Sequence, residues 1–227
     1  MRLADYVIEF LEKKGIRTVF TVSGGGSIFL CDALYKAKKL KLGNFYTNNL
    51  EKSVEGSDLI IICTPLSTYK NILDKISNHI MPNTILTDVG SAKLNAVKIF
   101  SKLKNVKFNI LPAHPIAGTE KSGPESGFAE LFNKRWCVIT PIGKNNKLSL
   151  DKLKKLWNIF GSKVQIMDAE NHDKILAITS HMPHLISYAI VSSSLNANSK
   201  EKSQIIKFSA GGFRDFTRIA ASDPTMW

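Results

Sequence analysis

Cysteine, arginine and acid are all scarce in this chain, and no long apolar run interrupts it. Its three cysteines, Cys31, Cys63 and Cys137, sit in apolar surroundings without a paired spacing. That excludes a disulfide framework and a cysteine zinc site, and reads as reduced core thiols of a cytosolic protein. Of the 31 basic residues only five are arginine. Nucleic-acid readers lean on arginine for bidentate contacts, and no stripe of interleaved basic and aromatic residues is present, so no nucleic-acid partner is expected. The 19 acidic residues leave a net charge of +12. This reads as a lysine-coated surface, part of whose field draws in an anionic substrate. No run approaches the roughly 18 apolar residues of a membrane span, and the N-terminus lacks the apolar core of a signal peptide. The expectation is a cytoplasmic protein without a membrane partner.

What the chain does have is an ordinary globular composition, 44% hydrophobic over 227 residues, enough for one large or two small domains. Residues 4–14 carry apolar side chains at helical spacing and stop at Gly15. Strands are predicted at 17–22, 59–63, 84–89, 108–111, 136–140 and 163–167. Between them, helices are predicted at 28–39, 50–56, 69–80, 94–103 and 150–160. Strands alternating with helices define an α/β fold with a mostly parallel sheet and function at the strands' C-terminal ends. From residue 171 the texture changes to one long apolar helix, 171–195, then a polar stretch at 196–203 and a final glycine-containing segment. The boundaries follow: an atypical N-terminal segment at 1–42, a Rossmann-like nucleotide-binding domain at 43–168 and a truncated all-helical domain at 169–227.

Four segments carry the chemistry. Ala113-His114-Pro115-Ile116-Ala117-Gly118-Thr119-Glu120 follows an apolar run and suits a histidine held on a loop at the end of a strand. Upstream lies Thr87-Asp88-Val89-Gly90-Ser91-Ala92-Lys93. Downstream lie Ser180-His181-Met182-Pro183-His184 and Ala210-Gly211-Gly212-Phe213-Arg214-Asp215-Phe216-Thr217-Arg218. Together and in this order they resemble the prephenate/arogenate dehydrogenase family, from about Asn49 to Trp227. The resemblance implies oxidative decarboxylation of prephenate or arogenate with NAD or NADP, in tyrosine biosynthesis. It also implies a Rossmann-like domain followed by a helical domain through which the protein forms a homodimer.

By that resemblance His114 is the catalytic histidine, taking up the proton of the ring hydroxyl. Ser91 bridges hydroxyl, histidine and nicotinamide; read from its neighbours alone, it is equally a helix N-cap. Arg218 binds the substrate carboxylate, a planar fork that lysine cannot copy, with Arg214 as the alternative and Asp215 as an orienting group. His181 and His184, one helical turn apart, line the substrate side. A two-histidine metal site lacks the acidic or cysteine partners it would need, so no metal is expected. Glu120 is either part of the active-site wall or a solvated loop carboxylate. Thr64, Pro65 and Leu66, after a strand, would lie against the cofactor's adenosine and ribose, and Asp88 and Gly90 near the nicotinamide. His172 and His79 carry no motif.

The first 40 or so residues depart from the pattern. They resemble instead the opening of thiamine-diphosphate enzymes of the acetolactate synthase type, through Ala4-Asp5-Tyr6-Val7 and Gly24-Gly25-Gly26-Ser27-Ile28, although no cofactor-activating glutamate is found. A dinucleotide site calls for Gly-x-Gly-x-x-Gly, and the chain offers Gly24, Gly26 and then Phe29 where a small residue should stand. Between Lys41 and Leu50 there is no room for a second strand with a ribose-binding acid. Two further expectations therefore stand beside the dehydrogenase: an inactive fusion or fragment without a usable NAD(P) site, and a thiamine-diphosphate-type module.

Overall fold

The structure is a computed structural model that describes residues 19–23, 39, 45–103, 105–118, 127–128, 130–143 and 146–221. The readings for the helices at 4–14 and 28–39, for Gly24, Gly26 and Phe29 and for Glu120 lie outside the described residues. The chain divides into two compact units, one built up to His172 and one from Asp173 onward. This lies close to the boundary expected at 168.

In the first unit, β1 (Val19–Ser23), β2 (Leu59–Cys63), β3 (Ile85–Asp88) and β4 (Asn109–Ile110) form a four-stranded sheet in that order. Every neighbouring pair is parallel. The strand expected at 17–22 thus docks as the edge of the same sheet, with Val19 opposite Leu59 and Ser23 opposite Cys63. Leu59-Ile60-Ile61-Ile62-Cys63 is a strand because its apolar run is covered on both faces, as in a parallel sheet. Ile60, Ile62 and Leu86 pack one way with Tyr69, Phe100 and Phe108. Leu59 and Ile85 pack the other way with Leu111, Cys137, Leu153 and Trp157. The crossovers are α1 (Leu50–Val54), α2 (Tyr69–Ile76) and α3 (Lys93–Phe100). Asn49 caps α1 by accepting the Lys52 N–H (2.8 Å).

A second sheet corrects the expectation of one mostly parallel sheet. β5 (Ala113–Pro115) pairs antiparallel with β6 (Trp136–Ile139), which pairs parallel with β7 (Lys163–Ile166). Segment 113–115, flanked and ended by proline, reads as a loop from sequence, yet Ala113, His114 and Pro115 are buried as a strand. α4 (Lys147–Ile159) covers this sheet through Leu153, Leu156 and Trp157.

α5 (Ala169–Leu176) starts within the first unit. Five residues of π-helix, Ala177–His181, follow it, and then α6 (Met182–Asn196). The π-turn has a local cause. Pro183 has no N–H and its ring collides with the carbonyl four residues back, so the ladder widens there. The Met182 N–H bonds to Ala177 O, five residues behind it. The stretch at 196–203, expected to be a polar connector, is largely helical. α7 (Ser199–Phe208) begins with a capping box in which Asn198 accepts the Glu201 N–H and Glu201 accepts the Asn198 N–H. α8 (Gly211–Thr217) and a 3₁₀ turn, Arg218–Ala221, complete the second unit.

Helix Ala169–Asn196 spans 28 residues with mean hydropathy 1.3 over its most apolar window and only 11% of that window buried. By length and composition alone it is long and apolar enough to cross a membrane, although polar residues interrupt it and no continuous apolar run is present. Its exposed apolar side chains, Ile178, Met182, Leu185 and Ile186, are joined by Ile206 and Phe208 of α7.

Candidate active site

The site is built at the C-terminal ends of β2 and β3, where the parallel strands release their loops. After β2, Thr64 is nearly buried and Thr68 closes the turn, with its N–H and hydroxyl both on Pro65 O (2.9 and 2.7 Å). Leu66 of this turn packs against the hydrophobic core.

After β3, Asp88 corrects its own assignment. It is fully buried, and its two oxygens take four donors: Tyr69 Oη (2.8 Å), the Gly90 N–H (3.0 Å) and Lys93 Nζ (2.5 Å) on Oδ2, and the Ala113 N–H (3.1 Å) on Oδ1. With no exposure, this carboxylate faces protein donors and not an open cofactor surface. Gly90 is required by close approach: a Cβ there would stand 2.9 Å from Tyr69 Oη and 3.0 Å from Asp88 Oδ2. Ser91 is exposed, and Ala92 rather than Ser91 caps α3. No side-chain hydrogen bond caps α3.

His114 is nearly buried on β5, opposite Val138 of β6. Its Nδ1 lies 2.9 Å from Nε2 of His172, a fully buried histidine of α5, and the two rings meet edge to face at 5.1 Å. This partner was missed by the sequence reading. Only a contact across 58 residues reveals it. The local signal that places it is the start of α5, where Asp168 Oδ1 accepts the Asn171 N–H (2.9 Å) and the His172 N–H bonds to Asp168 O (3.1 Å). The Asn171 N–H foremost holds the Asp168 carboxyl below the usual carboxylate range, so the cap stays charged at working pH.

Two nitrogens 2.9 Å apart share one proton. One ring donates and the other accepts, so each histidine orients the other. Tyr69 and Cys63, close to Asp88, stay neutral. Burial first, and then the Asp88 charge, push the Cys63 thiol up to about 12 and the Tyr69 phenol up as well.

In the second unit, the buried hydroxyl of Ser187 on α6 donates to Phe216 O (3.0 Å) of α8. His184 precedes Ser187 by three residues and so shares that side of α6. Its Nδ1–H donates to Ser180 O (3.0 Å). Arg214 and Arg218 flank Phe216 in sequence, both exposed, and the Arg218 N–H closes on Arg214 O. His181 ends the π-turn and is half-buried. The structure thus brings Ser91, His114 and His172 to one part of the first unit, and His184 and both arginines to one part of the second. Among the described residues no group of three or more His, Cys, Asp or Glu side chains could hold a metal ion.

A four-stranded parallel sheet with crossover helices, followed by a helical unit, is the frame of a Rossmann-like nucleotide-binding domain joined to a helical one. Residues 25–166 match the family model for the prephenate dehydrogenase nucleotide-binding domain, and residues 168–227 match that for the prephenate dehydrogenase dimerization domain. The chain belongs to the prephenate dehydrogenase family. The match reaches back to residue 25, into the segment that the sequence reading set aside as atypical.

Among its relatives is the cyclohexadienyl dehydrogenase of Zymomonas mobilis, 35% identical over 193 residues that make up 85% of this chain and 65% of the relative. The prephenate dehydrogenase of Bacillus subtilis is 31% identical over 192 residues, 83% of this chain and 51% of the relative. The chain therefore spans between half and two thirds of the length of these curated relatives. Prephenate dehydrogenase from A. aeolicus, solved in complex with hydroxyphenyl propionate and NAD+, superposes with a TM-score of 0.80 at 29% identity. It covers 97% of this chain and 75% of that one. The Synechocystis arogenate dehydrogenase gives a TM-score of 0.68 at 25% identity, covering 85% and 68%.

Proposed function

We propose that this chain carries out NAD(P)-dependent oxidative decarboxylation of prephenate or arogenate, a step of tyrosine biosynthesis. The observation that carries the reading is the His114–His172 pair at 2.9 Å, set beside the Gly90-Ser91 turn at the C-terminal edge of a parallel sheet. The reaction removes a hydride from the ring carbinol carbon and a proton from its hydroxyl. The bond to the ring carboxylate then breaks, and its electrons aromatise the ring as CO2 departs. The cofactor, when bound, supplies the hydride acceptor. The Thr64-Pro65 and Gly90-Ser91 turns, at the C-terminal ends of β2 and β3, are the described segments that would hold it. By sequence, Gly24 and Gly26 after β1 would add backbone N–H groups for the pyrophosphate.

His114 Nε2 takes the hydroxyl proton while Nδ1–H stays on His172, and Ser91 holds the hydroxyl in line. The imidazolium so formed keeps a charge-assisted hydrogen bond to His172, worth more than the neutral one it replaces. The pair therefore favours the protonated state that the reaction creates. By the family resemblance Arg218 binds a substrate carboxylate, with Arg214, His184, His181 and Glu120 as further substrate-binding residues. The exposed apolar residues of α6 and α7 are the face through which a homodimer would form, in a cytoplasmic enzyme.

The inactive-fragment reading is not favoured, because β1 docks in parallel register as a first Rossmann strand should. No observation favours the thiamine reading. Two measurements test the proposal: calorimetric titration with NAD and NADP, and turnover followed at the absorbance of the reduced nicotinamide. His114→Asn should lower kcat by roughly two to four orders of magnitude. Arg218→Ala should act mainly on substrate KM, since the carboxylate is held alike in ground and transition states. A chain that binds neither nucleotide below about millimolar, or a His114→Asn variant with full kcat, overturns the proposal.

A further inference from the structure

Ala113 stands where the chain leaves one sheet for the other. β4 follows β3 as far as Leu111, whose N–H donates to Leu86 O (2.9 Å). Pro112 has no N–H, and the ladder ends there. On the other side, Pro112 O accepts the Thr140 N–H (2.8 Å) and the Ile116 N–H donates to Trp136 O (2.7 Å). In an antiparallel pair, alternate residues face the partner strand, so Ala113 turns both its N–H and its C=O away from β6. Ala113 is fully buried, and two unsatisfied backbone groups there would be costly. Two charged side chains meet them: Asp88 Oδ1 accepts the N–H (3.1 Å) and Lys93 Nζ donates to the C=O (2.7 Å). The same Nζ lies 2.5 Å from Asp88 Oδ2, and both side chains have 0% exposure.

A buried ion pair is a poor source of net stability, because desolvation of two charges offsets their attraction. This one does something an apolar pair cannot. It replaces the broken ladder across the gap between the sheets. It also reaches the other catalytic loop, since Oδ2 accepts the Gly90 N–H (3.0 Å) next to Ser91 while Oδ1 holds the residue next to His114. Tyr69 Oη (2.8 Å) fixes the carboxylate from α2.

We propose that the Asp88–Lys93 pair is the positioning device of the site, clamping the Ser91 turn and the His114 strand to one carboxylate. The proposal rests on the reading of His114 and Ser91 as the reacting pair.

The test uses the full chain labelled with 15N-histidine, titrated by NMR, with turnover measured in parallel. The titratable groups around His114 are His172 from α5, Asp88 from β3, Lys93 from α3 and Cys137 from β6; burial keeps the last of these neutral. Asp88→Asn leaves the ammonium behind and should lower the His114 midpoint by about one pH unit. Lys93→Met leaves the carboxylate and should raise it by about as much, and the double variant should return it toward wild type. In each single variant kcat should fall on the order of 10- to 100-fold with KM within about 3-fold, and the losses should not add in the double variant.

A pair that only stabilises the core would lower the thermal midpoint while leaving the His114 titration and the kcat of the folded enzyme unchanged. That result overturns the proposal. If no variant and no wild-type chain turns over substrate, the dehydrogenase reading fails on its own, while the opposed His114 shifts still decide the clamp. Should Lys93→Met not fold, Tyr69→Phe removes one donor from Asp88 Oδ2. It should move the amide resonances of Gly90-Ser91 and Ala113-His114 together. Movement of one segment without the other refutes the clamp.

Discussion

Replacing His172 by leucine tests the catalytic geometry most directly, because it removes the His114 Nδ1 contact. His172 is fully buried and His114 is 8% exposed, so no water replaces the lost acceptor at Nδ1 without rearrangement. A buried donor left without its acceptor costs about 1–3 kcal/mol, and a hydrogen bond to a charged group is worth about 1.5–3 kcal/mol. In the ground state His114 is neutral and the lower figure applies. Once it has taken the substrate proton, the higher one does. Only the difference acts on kcat, about 1–2 kcal/mol, which is roughly 5- to 30-fold. Loss of the orienting bond also frees the ring to rotate and to exchange tautomers, which adds to the effect. We expect a fall in kcat of about 10- to 100-fold, with substrate KM nearly unchanged because the carboxylate is bound elsewhere. His172→Asn, placing an amide oxygen in the same region, should recover part of the loss. The assay is steady-state production of reduced nicotinamide over a range of pH. A His172→Leu enzyme within about 3-fold of wild-type kcat would show that His114 needs no partner at Nδ1, and the acid–base reading of the pair would be wrong.

Two further outcomes follow from other parts of the site. Gly90→Ala forces a Cβ to within 2.9 Å of Tyr69 Oη, so the phenol must leave Asp88; thermal unfolding should show a loss of about 1–3 kcal/mol, and an unaltered midpoint would mean that the turn yields easily. Burial holds the Cys63 thiol near 12, above the 9.0 of an unperturbed thiol, and raises Cys137 too, so both should resist thiol reagents at pH 8 until the chain is unfolded. With the folded pKa above the unfolded one, the Cys63 contribution to stability is intact below about pH 9. It declines between 9 and 12 as the unfolded chain ionises, by up to about 1.4 kcal/mol per pH unit. Rapid labelling of Cys63 in the native protein at pH 8 would contradict its raised pKa.

Much of this protein is written locally. The run 59–63 had to be a strand, because five consecutive apolar residues bounded by turn chemistry have few other ways to be buried, and the strand lies at those residues. The segments around His114, Ser91 and Arg218 were legible as family motifs because each is short and its pattern survives without tertiary context. Other assignments needed the folded chain. Asp88 looks like a cofactor ligand at a strand end, but its four donors come from α2, the Gly90 turn, α3 and β5, and only packing brings them to one point. β5 is three residues long and ends in proline, so propensity argues against it; it exists because β6 and the Asp88–Lys93 pair satisfy its backbone on both sides. His172 carries no motif of its own. Its role comes from a partner 58 residues earlier, placed within reach by the cap that starts α5. Periodicity and turn chemistry act over a few residues and decide where elements form. Which buried polar groups become partners depends on contacts between distant segments, and only the tertiary structure supplies those.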